Sequence, residues 1–340
     1  RLADMASDPD TDLGPDERTR RALLSTWELS LDLLRGEDTP QASDLARPLL
    51  RLLSAFGPAP IPYQELLDPE LLARSGLFGD PTPIPTQPQL QEALKGLAGL
   101  KLITIEVTRR DAADARGVGP LRWITIHPMV RAASRAHADF TAQASRMLEL
   151  VTALMRRVSS PLESANPAHW PMWRAIAPHS TAPRVLLSAC EDSLGDALNP
   201  SLVAAATEAA VGTAQYHNSL GMYGEAIAEL QAVEAIRARL LGEDAPATIA
   251  TRLHLAWALR DNGDLTEADR LYQEVARACE RALEDDHPYL QSARTGRARV
   301  LRERGRYEAA EAELSAALAM RRRDSQAGLR GVLRIRHDLA

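Results

Sequence analysis

The sequence predicts a mainly α-helical protein whose C-terminal part is a stack of helix hairpins, and three observations carry that prediction. Residues 200–340 repeat themselves with a period of 42 positions. Upstream, leucines recur at three-to-four spacing, as they do on helices that bury one face. Near residues 102–126 the period changes to two, which marks a pair of strands. The composition agrees: 340 residues, 45% of them apolar and 25% charged, describe a globular chain long enough for two or three cores.

The repeat is read from Gly221-Met222-Tyr223-Gly224-Glu225-Ala226, Gly263-Asp264-Leu265-Thr266-Glu267-Ala268 and Gly305-Arg306-Tyr307-Glu308-Ala309-Ala310. Ala214, Ala256 and Ala298 keep the same register before each glycine, and Leu230, Tyr272 and Leu314 keep it after. Asp244-Ala245-Pro246 and Asp286-His287-Pro288 fall between units. Each unit predicts two helices. The glycine ends the first, small residues such as Ala256 and Ala268 let the pair approach closely, and Asp followed by Pro caps and opens the next pair. Leu339-Ala340 lands in register with Leu255-Ala256, so the sequence reads as stopping inside a fourth unit.

Gly305-Arg306-Tyr307-Glu308-Ala309-Ala310-Glu311, followed by Leu314 and Ala317-Leu318, resembles the tetratricopeptide repeat (TPR) in the 42-residue form of kinesin light chains. The resemblance covers residues 200–340 and implies a solenoid whose concave wall is lined by the first helix of each pair, with a protein or peptide as partner. Where that family often carries paired asparagines, this chain has Leu253-His254 and Thr295-Gly296, which argues against a clamp on a peptide backbone. With the small residues in the packed seam, the inner wall presents Gln215, Asn218, Trp257, Arg260, Arg299 and Arg302. Such a wall suits a partner with acidic and apolar groups. The alternative is a solvated face whose arginines pair with Asp261 and Glu303.

The N-terminal half predicts helices followed by a β-hairpin. Leu23, Leu24, Trp27, Leu31 and Leu34 form one helical stripe, and Leu45, Leu49, Leu50, Leu52 and Leu53 another. Pro58-Ala59-Pro60-Ile61-Pro62 breaks the pattern, and Pro81 to Pro88 predicts a longer loop. Leu102–Val107 and Leu121–Ile126 then alternate as strands around a polar turn with Asp111, Asp114, Gly117 and Gly119. That order is a winged-helix pattern over residues 18–140, with residues 1–17 as a linker from a preceding domain.

The strand leading into His127-Pro128-Met129-Val130-Arg131, together with Thr26–Leu31, Leu52–Phe56 and Ile61-Pro62, resembles the winged-helix domain of STAND (NB-ARC type) signalling ATPases. In that family the motif's histidine touches the β-phosphate of bound ADP, and the resemblance gives that role to His127. An imidazole can donate to a phosphate and changes charge near neutral pH. Read as a residue alone, His127 is a half-buried strand end. Pro128 stands where the motif more often has aspartate, which leaves the following helix without its usual cap. The resemblance implies an ATPase domain before Arg1 that holds ADP or ATP, and oligomers on activation. The chain itself has no GxxxxGK[ST] sequence, so it is expected to hold no cofactor and to hydrolyse no ATP.

Residues 141–199 predict a helical adaptor. Met147, Leu148, Val151, Leu154 and Met155 mark one helix and Pro183 to Leu194 another, with Trp170-Pro171-Met172-Trp173 between them as core anchors. Similar stretches join the winged helix to the repeats in bacterial proteins of the STAND kind.

Several chemistries are disfavoured. Cys190 and Cys279 stand alone, the eight histidines form no HxxxH or HExxH, and GxSxG is absent. Asp8-Pro9-Asp10-Thr11-Asp12 starts like a calcium loop, but Gly14 falls one place late and Thr19 replaces the bidentate glutamate. Apolar runs fall short of a membrane span and no leader is evident, which predicts a cytoplasmic protein. The net charge is −6, with ten acidic against five basic residues over 1–39. A DNA-binding domain carries the opposite excess. The leading expectation is the regulatory and sensing portion of a STAND switch, without catalysis of its own. The alternative is a transcriptional regulator with a DNA-reading winged helix, and it is weakened because Gln87–Leu100 offers only Lys95 as a cation.

Overall fold

The computed structural model describes residues 40–79, 85–107, 121–194, 198–284 and 287–323. The stripe Leu23–Leu34, the acidic segment Asp8–Asp12, the turn at residues 108–120 and Leu339-Ala340 lie outside them. The protein is mainly helical and divides into two compact units: residues 1–158 with 178–194, and residues 159–177 with 195–340. Among the described residues no helix is long and apolar enough to cross a membrane.

In the first unit, helix α1 (Pro40–Ala55) buries Leu45, Leu49, Leu50, Leu52 and Leu53, and Phe56 closes the same face. Strand β1 (Ile61–Pro62), helices α2 (Tyr63–Leu66), α3 (Pro69–Arg74) and α4 (Gln87–Gly99), and strands β2 (Ile103–Val107) and β3 (Arg122–Ile126) follow. Strand β3 lies between β1 and β2, antiparallel to both, with Ile124 opposite Ile61 and Ile105. Two details depart from the sequence reading. Ile61-Pro62 pairs as an edge strand, where proline's missing N–H is harmless. The proline-rich loop ends at Thr86, which caps α4 in a reciprocal box with Gln89 and leaves Pro88 inside the first helical turn.

Helices α5 (Pro128–Ala136), α6 (Ala138–Ala142), α7 (Ala144–Ser159), α8 (Trp170–Ile176) and α9 (Ala182–Leu194) continue the chain, with α8 in the second unit. Helix α5 packs on α1 and supplies cations to its C-terminal carbonyls. Arg135 donates to the carbonyls of Ser54 (2.7 Å), Ala55 (3.2 Å) and Phe56 (3.0 Å), and buried Arg131 donates to those of Phe56 and Gly57. Burial, and then the neighbouring Arg135, pull the Arg131 guanidinium down to about 10. His179 is buried beside Phe56 and donates from Nε2 to the Pro60 carbonyl at 2.9 Å. Gly57 is obligatory there, because a Cβ would stand 2.1 Å from the Pro178 carbonyl oxygen.

The second unit holds three helix pairs: α10 (Pro200–Ser219) with α11 (Tyr223–Leu241), α12 (Pro246–Asn262) with α13 (Leu265–Ala282), and α14 (Pro288–Glu303) with α15 (Tyr307–Arg323). Each helix packs on the next in sequence, and the first helices also touch one another. The periodic positions are the core: Ala214, Ala256, Ala298, Ala226, Ala268, Ala310, Leu230, Tyr272 and Leu314 are all buried. Gly221, Gly263 and Gly305 all take positive φ, which ends the first helix of each pair and turns the chain. The expected Asp caps are corrected. With proline at the first helical position, the cap falls on Ala245 and His287, and Asp244 instead accepts from Arg281 (2.5 and 3.1 Å).

Trp173 of α8 is buried in this unit and stacks on Tyr216 with ring centroids 6.1 Å apart. Gly212 makes room for it, since a Cβ there would meet the indole at 2.5 Å. Trp170 donates from Nε1 to the Ser164 carbonyl at 2.9 Å. The 141–199 stretch thus divides between the two units, with α7 and α9 in the first and α8 in the second.

Candidate functional site

The first helices of the repeats carry the wall residues in two columns that keep the 42-residue register. Gln215, Trp257 and Arg299 form one column, Asn218, Arg260 and Arg302 the other. All are half-buried except Arg302, which is exposed. Each follows a buried alanine, Ala214, Ala256 or Ala298, by one position in the first column and by four in the second, which accounts for the partial burial.

Helices α10 and α12 are tied by two short polar chains. Ser164 Oγ donates to Gln215 Oε1 (3.3 Å), and Gln215 Nε2 reaches the His254 ring at 2.8 and 3.0 Å. His254 in turn meets Trp257 edge-on, with centroids 4.9 Å apart. Burial, and then the Arg237 charge, press the His254 imidazole down to about 4, so it works as a neutral acceptor. In the second chain, Asp261 accepts from Asn218 Nδ2 at 2.8 Å and from Arg260 at 2.5 and 2.9 Å. Asn218 Oδ1 is buried and has no partner among the described residues.

The structure therefore brings Gln215 and Trp257 together through His254, and Asn218 and Arg260 together through Asp261. Arg299 and Arg302 follow on α14 in the same columns, and Arg299 and Arg260 both bear on the buried Tyr272 hydroxyl. Burial raises that hydroxyl's pKa, with Arg260 acting against the rise. The sequence reading passed over His254 as a wall residue, although it lies three positions before Trp257 on one helix face.

His127 lies in the first unit, at the junction of β3 and α5. It is exposed, not half-buried, as are its neighbours Pro128 and Met129. The missing aspartate leaves no gap, because His127 is itself the cap of α5: its Nδ1 accepts from the Met129 N–H at 3.3 Å. That bond places the neutral ring's proton on Nε2, which makes Nε2 a donor. His287-Pro288 repeats the device in the second unit, with Nδ1 accepting from Tyr289 N–H at 3.2 Å. On α4, Lys95 pairs with Glu92 at 3.5 Å.

Residues 248–289 match the family model of the tetratricopeptide repeat, one period covering α12 and α13. No curated protein matches the sequence. Among solved structures, the chain is similar to nearly identical TPR-like repeats from Podosopora anserina, described as those of a kinesin light chain. The identity is 22%, over 54% of this chain and 90% of that one, with a TM-score of 0.33. It is also similar to BtubC (BKLC) from P. vanneervenii at 17% identity, over 58% of this chain and 80% of that one, with a TM-score of 0.45.

Proposed function

We propose that this chain is the regulatory and partner-binding portion of a STAND-type switch: the repeats grasp a protein and the first unit, acting as a winged helix, restrains an ATPase domain. The observation that carries the reading is the repeated wall. Tetratricopeptide repeats offer helix faces to proteins, and this wall sets Trp257, Arg260, Arg299 and Arg302 in two registered columns beside an unpartnered Asn218 carbonyl. An aromatic face and guanidinium groups recognise acidic and apolar side chains.

The helix–strand–helix–helix–helix–strand–strand order of residues 40–126 in the first unit supports the winged-helix part. His127 supports the nucleotide part, since an exposed Nε2–H at a helix N-terminus suits a phosphate oxygen. In this reading the chain has no bond-making chemistry of its own, and ADP is held mainly by the ATPase domain. Partner binding shifts an equilibrium between restrained and released states. Joint replacement of Trp257, Arg260 and Arg302 by Ala, followed by affinity capture and titration of the captured protein, tests the wall. A loss of about tenfold or more is expected, and unchanged affinity overturns the assignment. His127→Ala in the ATPase-containing protein is expected to weaken ADP binding while leaving partner capture intact.

A further inference from the structure

The spacing of the wall on α10, α12 and α14 limits what a partner can present to it. Helix α12 touches both α10 and α14, and helices packed in this way lie about 8–10 Å apart. Trp257 and Arg299 stand in one column on neighbouring helices, so a single partner segment must meet them at that interval. A β-strand cannot, because its same-face residues are about 6.6 or 13 Å apart. Seven residues of an α-helix rise about 10.5 Å and return to within about 20° of the same face. Three residues of a polyproline II segment rise about 9.3 Å and also return to one side.

Hydrogen-bonding capacity separates the last two. A polyproline II chain makes no internal hydrogen bonds, so its backbone groups look to the wall for partners, whereas a helix satisfies its own. The short polar side chains of the wall have spent their donors inside the protein. Gln215 Nε2 reaches His254, Asn218 Nδ2 donates to Asp261, and buried Thr295 donates from Oγ1 to the Gln291 carbonyl at 2.8 Å. The wall offers an indole and guanidinium groups instead, which suit side chains. The Arg260 side chain is only 18% exposed and is held by Asp261, whereas Arg299 is half-buried and Arg302 exposed, three positions apart on α14. Asp261 and Glu303 both act on Arg260, and against Arg260, Arg299 and Arg302 they leave one positive charge over.

We propose that the partner presents an amphipathic α-helix with a large apolar residue and an acidic residue seven positions apart, an assignment that rests on the wall being the partner-binding face. The apolar residue packs on Trp257. The carboxylate accepts from Arg299 and Arg302 on the neighbouring helix, and its single charge completes the count.

The test is fluorescence anisotropy on the 340-residue chain with three labelled peptides of about 18 residues, long enough to hold a helix. The first is alanine-rich and locked helical by a lactam bridge on its far side, with Leu and Glu seven positions apart. The second is locked in the same way with Leu and Glu five apart, on opposite sides of the helix. The third is proline-rich with Leu and Glu three apart. The first is expected to bind with a Kd below about 1 mM and at least about tenfold tighter than the other two. Arg299→Gln with Arg302→Gln is expected to weaken it about tenfold, with the helical signal of the free protein unchanged. A proline-rich peptide that binds as tightly as the first overturns the proposal while leaving the wall as a binding face. No saturable binding of the first peptide up to about 1 mM overturns it too, as does binding that the double variant leaves unchanged. Capture of the natural partner, and its loss on replacing Trp257, Arg260 and Arg302, do not depend on these peptides, so the helix assignment and the wall fail separately.

Discussion

The contact between the first and second repeats and the contact between the second and third are built on one template, yet they put polarity in opposite places. In the first, Arg237 is buried and donates to Thr207 Oγ1 (2.8 Å), Thr251 Oγ1 (2.9 Å) and the carbonyls of Ala204 (3.0 Å) and Ala247 (2.9 Å). Forty-two residues on, the same three positions are Ile249, Cys279 and Ala293, all buried and apolar. Elsewhere the exchange runs the other way. Ile227 and Leu255 belong to the apolar core of the first contact, and Asp269 and Arg297 pair at 2.8 Å in the second. The repeat therefore fixes helix spacing through its alanines and glycines, while the side chains between them vary as matched sets.

The largest expected effect comes from breaking a matched set in one place. Arg237→Ala removes four buried bonds and the volume of the guanidinium, leaving Thr207 bonded only to the Val203 and Ala204 carbonyls and Thr251 only to that of Ala247, and is expected to cost about 3 kcal/mol in denaturant unfolding. Burial lowers the Arg237 pKa to about 10, so the guanidinium stays charged at neutral pH and its bonds are charge-assisted. Replacing the whole set, Thr207→Ile with Arg237→Cys and Thr251→Ala, is expected to cost less than Arg237→Ala alone. A triple variant weaker than the single one breaks the equivalence of the two contacts.

A second set trades size. Leu230 with His254 in the first contact corresponds to Tyr272 with Gly296 in the second. A Cβ on Gly296 would stand 2.5 Å from the Tyr272 ring, which is fully buried. Gly296→His is expected to destabilise by about 2–3 kcal/mol through overpacking, and Tyr272→Leu in the same chain to recover most of it. Additive costs in the double-mutant cycle would show that the two positions do not share space.

These pairs also mark how far the sequence could be read. Everything that obeys the 42-residue register was legible: the positive-φ glycines, the buried alanines, and Leu230, Tyr272 and Leu314. What escaped depends on contacts between residues with no sequence relation. Tyr272 and Gly296 look unremarkable apart, and Gly296 was read only as a lost asparagine. Arg131 and Arg135 cap a helix that ends more than seventy residues earlier. Asp244 was mistaken for a cap because Asp two positions before Pro looks like one, although a proline at the first helical position leaves only Ala245 to hold the cap. Trp257 and Arg260 were placed on one wall from spacing alone, but the bridging roles of His254 and Asp261 needed the distance between α10 and α12.

Acid should separate the two contacts. His254 is held near 4, against 6.5 in an unfolded chain, whereas the equivalent Gly296 cannot titrate. The neutral form is the one the fold favours. Its contribution is therefore complete above pH 6.5 and is lost as pH falls from 6.5 toward 4, where the unfolded chain binds the extra proton. A loss of about 2 kcal/mol is expected over that window, discounting for partial exposure. Hydrogen exchange should report it first in α10 and α12. His254→Gln should flatten the part of the profile that belongs to this contact, leaving the fall due to buried His179 in the first unit.

The smallest effect is expected where the comparison is subtlest, at the pair Asp269 and Arg297. Burial works to raise the Asp269 carboxyl, but the bonds from Arg297 and Gln273 and the charges of Arg297 and Arg304 outweigh it, so the pKa is lowered. An ion pair of this kind gains in attraction roughly what it loses in desolvation, and an apolar pair of similar volume is often as good. Asp269→Ile with Arg297→Leu, which copies Ile227 and Leu255 of the first contact, is expected to change stability by about 1 kcal/mol or less. Asp269→Ile alone leaves Arg297 with only Glu313, and should cost more than the double change. If the double variant proves the worse of the two, Arg297 is held by its other partner, and the ionic and apolar versions of this contact are not interchangeable.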